Sequence, residues 1–479
     1  MDKLTLIDQF LFKAGECGLP ALNMQGAMIL DPSKGAFPVT AMGVAEHIAA
    51  RLSGFAILRK RLMQDHLHIG DIKMVDDPNF DVWDHITFAT LPSPGNDIAL
   101  SRHLGKFSAE HLDSSKPLWR FEIIEGLEGG KIAIVQKLSH ATMDGKAAMK
   151  VMQTLFDSKP QKLDKLDVIE WPSDELPSSV ALLSKAISES AARITSKAPK
   201  AVLQVSRLAL HSGRSYLYNK FFGDDGAVAG PKKTRAKRTS LNTEISIDRR
   251  NVDFISFDLG RLKSLSKRYQ CTMNDLCLVI ATGAMTNYFR EIGESIDFDL
   301  QLCMTISTRT SASREHGNEL KLAAVNAHNT IEGISDRVAK ITADTLIIKN
   351  KKPANKGSRA AIDSENLIAS ISPLLIDIAC AGLSATNPWK HFPVLFNTVV
   401  TNIPGPLQTI YFCGMPVECQ LPIVPLFHTS ALSIGVSSMG GHLTVGFHSC
   451  GRVVKESNMK HFTRGADMVI AELEHNLSD

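Results

Sequence analysis

"KLSHATMDG", residues 137–145, closes an apolar run, "KIAIVQ" at 131–136, and opens onto "KAAMKVMQTLFD" at 146–157, which repeats apolar residues at helical spacing. The preceding "RFEIIEGLEGG" (120–130) reads as a strand leading into a glycine-rich turn, so the local reading is strand, turn, strand, turn, helix. Side chains alternate faces along a strand, which sends Ser139 and His140 to opposite sides. Gly145 can take a backbone conformation that other residues resist, and Asp144 near the helix start places its charge favourably. A histidine delivered to a cavity at a strand end, with an anchored acid four residues on, fits a general base. A structural histidine is the competing reading of HxxxDG taken alone.

Around this stretch the chain sets its own bounds. At 479 residues and 44% hydrophobic composition it exceeds one ordinary core and can bury two, so two domains are expected. A net charge of +3 provides no global field for a nucleic-acid partner. The eight cysteines, Cys17, Cys271, Cys277, Cys303, Cys380, Cys413, Cys419 and Cys450, include no CxxC pair. That usage suits a reducing, cytoplasmic setting. "MDKLTLIDQF" carries acids early and lacks the apolar core of a signal peptide. The apolar stretch 366–385 is interrupted by Pro373 and Asp377, which argues for a soluble or peripheral protein over a spanning one.

Three regions follow. Residues 1–158 mix short β-rich runs with helical patterns and carry HxxxDG. Residues 159–240 read as a basic, amphipathic helical connector, with Leu183, Ile187 and Ile194, then Val202, Val205 and Ala209, at helical spacing. Between Arg193 and Arg238 eleven Lys or Arg residues face only Asp224 and Asp225. The connector is either a solvated linker or a segment drawn to an anionic lipid surface or a ligand's phosphates. In the second case Lys232, Lys233, Arg235, Lys237 and Arg238 carry the contact, in a mobile loop around "GDDGAVAGPKKTRAKRTS" (223–240). Residues 241–479 form a second α/β domain: "FISFDLG" a strand, "RLKSLSKRYQ" a short helix, and "TMNDLCLVIATGAMTNYFREIG" a long apolar helix capped by Thr272. "NIPGP" (402–406) is expected to be a rigid turn.

Other chemistries find little support. "GVSSMG" lacks the second glycine spacing of a hydrolase elbow, and no P-loop or strand-linked GxGxxG occurs. His66 and His68 have no further ligands at metal-like spacing, so no metal is expected.

"LSHATMDG" resembles the HHxxxDG motif of the CoA-dependent acyltransferase superfamily. "KPLWRFEIIEGL" (116–127), "TMNDLCLVIATGAM" (272–285) and "TNIPGP" (401–406) narrow the resemblance to bacterial wax ester synthase/diacylglycerol acyltransferases. "FDVWDHITFATLPSPG", "LNTEISIDRR" and "STRTSASREHGN" fall in the same order, so the likeness spans nearly the whole chain.

The resemblance implies an α/β (α+β) fold of two chloramphenicol-acetyltransferase-like domains, with a tunnel at their interface that acyl-CoA and the acceptor enter from opposite sides. It implies O-acyl transfer to a fatty alcohol or diacylglycerol with His140 as general base, no covalent acyl-enzyme, and no cofactor beyond acyl-CoA as co-substrate. Asn274 is the candidate oxyanion donor, or a residue that positions one; its alternative is a helix-start residue bonded only to backbone. Pro117, Leu118, Trp119 and Asn402 are candidate substrate contacts, against core packing for Trp119 and a structural role for Asn402. In related acyltransferases the motif aspartate pairs with an arginine, which implies an Asp144–Arg309 salt bridge that fixes the loop carrying His140, next to Gly145, with Asp144 as architecture and the imidazole oriented by backbone or water. Ser139 stands where the motif has its first histidine. A peripheral membrane or lipid-inclusion location is compatible. The alternatives are a non-catalytic lipid-binding or scaffold protein, an acyltransferase for another hydroxyl acceptor, a plant-type enzyme, whose DFGWG is absent, and a condensation domain, whose adjoining carrier domains the chain leaves no room for.

Overall fold

The computed structural model describes residues 2–143, 145–162, 176–196, 236–307, 320–350, 373–406 and 408–476. Its helices are α1 (Leu6–Glu16), α2 (Ala41–Leu52), α3 (Asp97–Ala109), α4 (Gly145–Thr154), α5 (Ser179–Ser196), α6 (Leu259–Arg268), α7 (Met273–Glu291), α8 (Ile334–Asn350), α9 (Pro373–Thr386) and α10 (Lys460–His475). The strands are β1 (Asp2–Lys3), β2 (Asn23–Leu30), β3 (Lys60–Met63), β4 (Lys73–Asp76), β5 (Ile86–Thr90), β6 (Trp119–Glu125), β7 (Ile132–Ser139), β8 (Arg250–Asp258), β9 (Gln301–Ser307), β10 (Leu320–Asn326), β11 (Thr398–Pro404), β12 (Tyr411–Phe412), β13 (Met415–Ile423), β14 (Leu432–Met439) and β15 (His442–Cys450).

Two mixed sheets organise the molecule. The first has the order β12-β13-β2-β7-β6-β5 and the second β10-β9-β11-β14-β15-β8, while β1, β4 and β3 make a small third sheet. Strand β7 is central in the first sheet, paired antiparallel to β2 and β6, and every residue in it is buried. Its two faces serve different cores. Ile132, Ile134 and Leu138 pack with α2 and α4, while Ala133 and Val135 pack with Leu100, Leu104 and Phe107 of α3 and with Val252 of β8.

Helix α3 is therefore sandwiched between the sheets. It approaches β8 closely because Gly105 has no side chain: a Cβ there would lie 2.6 Å from the Arg250 carbonyl oxygen. On its other face the second sheet is covered by α6, α7, α8 and α10 around Leu276, Ile280, Phe447 and Ile470. Thr272 caps α7 and forms a capping box with Asp275, as its position in the sequence predicts.

Residues 411–423, which lie within the third sequence region, expected to be the second domain, add β12 and β13 to the first sheet. A bulge between Val417 and Cys419 shifts the register against β2. Before it, Met415 and Val417 face the first-domain core; after it, Cys419, Leu421 and Ile423 face the core shared with α3. One extra residue thus sends the same strand's side chains to two cores. The crossing brings β13 onto the second sheet at Gly435 and Gly446, opposed residues of β14 and β15, where any Cβ would meet the Pro422 carbonyl oxygen at 2.9 and 2.6 Å.

Helix α5 forms as expected, but the periodicity assigns its buried side wrongly. Leu182 and Ala186 are buried and Ile187 is 54% exposed, because Ala186 packs against Gly70. Residues 402–404 continue β11, paired to β14 through Pro404, instead of turning. Pairing of β11 with β9 ends at Val400, so Pro404 lies where no donor is required of that edge. No helix among the described residues is long and apolar enough to cross a membrane.

Candidate active site

His140 is the first residue beyond β7, half-buried, and is held by its main chain: its N–H donates to the Leu22 carbonyl at 3.1 Å. Its ring makes no hydrogen bond with any described residue. Ser139, the last residue of β7, donates its N–H to the Leu118 carbonyl at 3.0 Å and accepts the Ala141 N–H on Oγ at 3.2 Å. The Ser139 carbonyl accepts from Thr142 and Met143, which closes the turn. Gly145 then opens α4, and Met143, Ala148, Val151 and Leu155 anchor that helix in the first core. Asp144 and Arg309, with the salt bridge expected of them, lie outside the described residues.

Pro117, Leu118 and Trp119, candidates for substrate contact, are placed as packing residues. The Trp119 indole N–H donates to the Leu58 carbonyl at 2.7 Å, and its ring stacks on His85 at 4.3 Å. His85 donates from Nδ1 to the Trp119 carbonyl, and burial holds its pKa below the usual histidine value. Leu118 lies among Leu4, Leu62 and Ile72, and its carbonyl accepts from the Ser139 N–H.

On the second sheet, Asn274 is half-buried in the first turn of α7, with Nδ2 4.0 Å from the Met304 sulfur of β9. Its neighbour Asp275 is buried and structural. It accepts from the Thr272 N–H and hydroxyl and, through its other oxygen, from the Thr345 hydroxyl at 2.6 Å. Asn402 is half-buried on β11, on the strand face that carries Val400, which pairs in register with Met304. Asn274 at the α7 N-terminus thus meets Met304 of β9, whose register partner Val400 precedes Asn402 by two residues on β11.

Of the five basic residues expected to meet an anionic surface, Lys232, Lys233 and Arg235 lie outside the described residues. The other two are exposed and each contacts the protein. Arg238 donates to the carbonyls of Asn242 and Phe392, and Lys237 sits 4.9 Å from the centre of the Phe298 ring. The loop is fastened there by Asn242, whose Nδ2 donates to carbonyls including Asn397 and Thr429 and whose Oδ1 accepts from Thr239 and Asn397. Among the described residues no group of three or more His, Cys, Asp or Glu side chains is placed to hold a metal ion, and all eight cysteines are free thiols.

One part of the site was not read from the sequence. Lys137, three residues before His140, is 1% exposed and donates to the carbonyls of Phe107 and Glu110 at the end of α3. On the next residue of α3 after Phe107, the Ser108 hydroxyl donates to His448 Nε2 at 3.0 Å, and His448 donates from Nδ1 to the Val424 carbonyl at 2.6 Å. Burial pushes the Lys137 pKa down to about 7 and that of His448 down to about 3, so the imidazole is neutral. A lysine inside "IAIVQKLS" was the available signal: a charge in an otherwise apolar central strand requires a buried partner.

Comparison with known proteins matches this arrangement. The family model for the wax ester synthase/diacylglycerol acyltransferase catalytic domain covers residues 4–277, and that for the WS/DGAT C-terminal domain covers 317–466. The chain is 26% identical over 479 residues to a Mycobacterium tuberculosis protein named probable diacylglycerol O-acyltransferase tgs1, covering 99% of this chain and 96% of that one. It is 25% identical over 464 residues to tgs2 of the same species, covering 96% and 94%. In structure it is similar to the wax ester synthase/diacylglycerol acyltransferase from Marinobacter aquaeolei VT8, with a TM-score of 0.69, 19% identity and full coverage of both chains. It is more distantly similar to the first condensation domain of the CDA synthetase, with a TM-score of 0.52, 12% identity and coverage of 98% and 95%. The fold is therefore the two-domain, chloramphenicol-acetyltransferase-like fold that these proteins share. The chain belongs to the wax ester synthase/diacylglycerol acyltransferase family.

Proposed function

We propose that the protein transfers a fatty acyl group from acyl-CoA to the hydroxyl of a long-chain alcohol or a diacylglycerol, with His140 as general base and no cofactor or metal. The observation that carries this reading is the state of His140. Its ring is free of hydrogen bonds to described residues, while its main chain is fastened to Leu22 at the end of a buried central strand. Such an imidazole can exchange a proton with a substrate without first breaking a contact to a described residue.

In the reaction the alcohol oxygen attacks the thioester carbonyl carbon as His140 takes the hydroxyl proton. The tetrahedral intermediate collapses with cleavage of the C–S bond, and the imidazolium returns the proton to the CoA thiolate, giving an ester and free CoA. Asn274 would donate to the oxyanion or position the donor. Release of CoA thiol, with product analysis after offering alcohol and diacylglycerol together, identifies the acceptor. His140→Ala should lower turnover by about 10²–10⁴-fold in a folded protein. Near-normal turnover in that variant removes His140 from the mechanism, and absence of thiol release in the wild type favours a lipid-binding or scaffold role.

Acceptors of this kind partition into lipid, so the reading includes docking at a lipid surface. Helix α9 supports it. Leu374 and Ile378 are 43% and 58% exposed, Ala381 and Ala385 continue their stripe, and the helix's one charged residue, Asp377, points inward to Lys13 at 3.3 Å and His68 at 2.8 Å. Its outer face carries no charge.

A further inference from the structure

The buried line from Lys137 to His448 has no part in the proton transfers above, yet it runs from the strand that leads into His140 to β15 of the second sheet. Lys137 ties β7 to the last carbonyls of α3, where the negative end of the helix dipole favours its ammonium. Its Nζ also lies 4.6 Å from the centre of the Phe107 ring. Ser108 ties α3 to His448 on β15, and His448 ties β15 to the Val424 carbonyl just past β13. Lys137, Ser108 and His448 are all buried. Buried polar groups joined in series are costly to break at any one point, because the partner is left unsatisfied.

We propose that Lys137, Ser108 and His448 are positioning residues that hold β7, α3 and β15 at one separation and so fix the turn 139–143, and with it His140, relative to the second domain. The proposal rests on the acyltransfer reading for its kinetic effect but not for its structural one. The apolar contacts of α3 set the rough distance between the sheets; the polar line selects one register of α3 along β7. Lys137 meets this need where a hydrophobic residue could not, since only a donor reaching the end of α3 satisfies the carbonyls of Phe107 and Glu110 together.

The test uses the full chain with Lys137→Met, Ser108→Ala, the double variant, Lys137→Arg, and Leu265→Ala as a control for lost stability on the far face of the second sheet. Lys137→Met should lower kcat by about tenfold or more, as a small misplacement of a catalytic group does. KM for both substrates should stay within about twofold. Ser108→Ala should lower kcat in the same direction, and the double variant should fall no further than Lys137→Met, because groups acting as one unit are not additive. Lys137→Arg, which keeps donors for the two carbonyls, should recover part of the loss.

Independently of activity, amide exchange of Ala141 should speed up in Lys137→Met and not in Leu265→Ala. Unchanged Ala141 exchange in a folded Lys137→Met protein, or in Ser108→Ala should Lys137→Met fail to fold, overturns the proposal. So does a kcat loss no greater than that of a Leu265→Ala variant of equal stability. A wild type without turnover, in which Lys137→Met still speeds Ala141 exchange, retains the positioning role and refutes only the acyltransfer reading.

Discussion

Ser139 occupies the place of the first histidine in the family's motif, and its hydroxyl has a local use there: it accepts the Ala141 N–H in the turn beside His140. Replacing it with alanine leaves that amide, in a buried residue, without a partner, at a cost of about 1–3 kcal/mol in denaturant unfolding. Asp253 offers a pH test. Burial raises its pKa to about 6, with the Phe254 amide and the Thr463 hydroxyl only partly offsetting it. The folded chain thus holds this proton more tightly than the unfolded one, so the contribution to stability is full below about pH 4 and is lost as pH rises through about 6. Asp253→Asn should therefore melt above the wild type at pH 8 and level with it near pH 4. Equal melting at both values would show that the carboxyl is not perturbed in this way.

Single elements meet where glycine permits, and the effect is testable between β13 and β15. A methyl group on Gly446 would lie 2.6 Å from the Pro422 carbonyl oxygen and 2.7 Å from Leu421, atoms of a strand that cannot withdraw without leaving the first sheet. Gly446→Ala should cost about 1–3 kcal/mol of stability by overpacking and lower turnover with it, read by thermal melting and thiol release. Much at this scale was legible beforehand. The capping box of α7, the β6–β7 hairpin and the helix after HxxxDG follow from residue order. The buried side of α5 and the extension of β11 through Pro404 did not, because each depends on a neighbour: Gly70 in one case and the absence of β9 pairing in the other.

For the molecule as a whole, the docking reading predicts that Ile378→Asp weakens co-sedimentation with vesicles while leaving turnover of a water-soluble short-chain alcohol unchanged. A charge in a face buried at the lipid boundary is costly, whereas the inner side of α9, with Ile376 and Cys380, packs on Ala14 and Leu19 and is left intact by the substitution. Undiminished vesicle binding would assign the contact to another surface.

The order of motifs along the chain determined the family and the strand-turn-helix that presents His140, because both depend on residues close in sequence. Tertiary structure alone decided what lies between the two sheets. The return of residues 411–423 to the first sheet, the bulge that turns β13 from one core to another, and the buried line through Lys137, Ser108 and His448 join residues distant in sequence, Gln25 with Ile423 and Ser108 with His448 among them. The sequence shows that a lysine in an apolar central strand requires a buried partner, but which carbonyls satisfy it is decided only when the fold brings the end of α3 there.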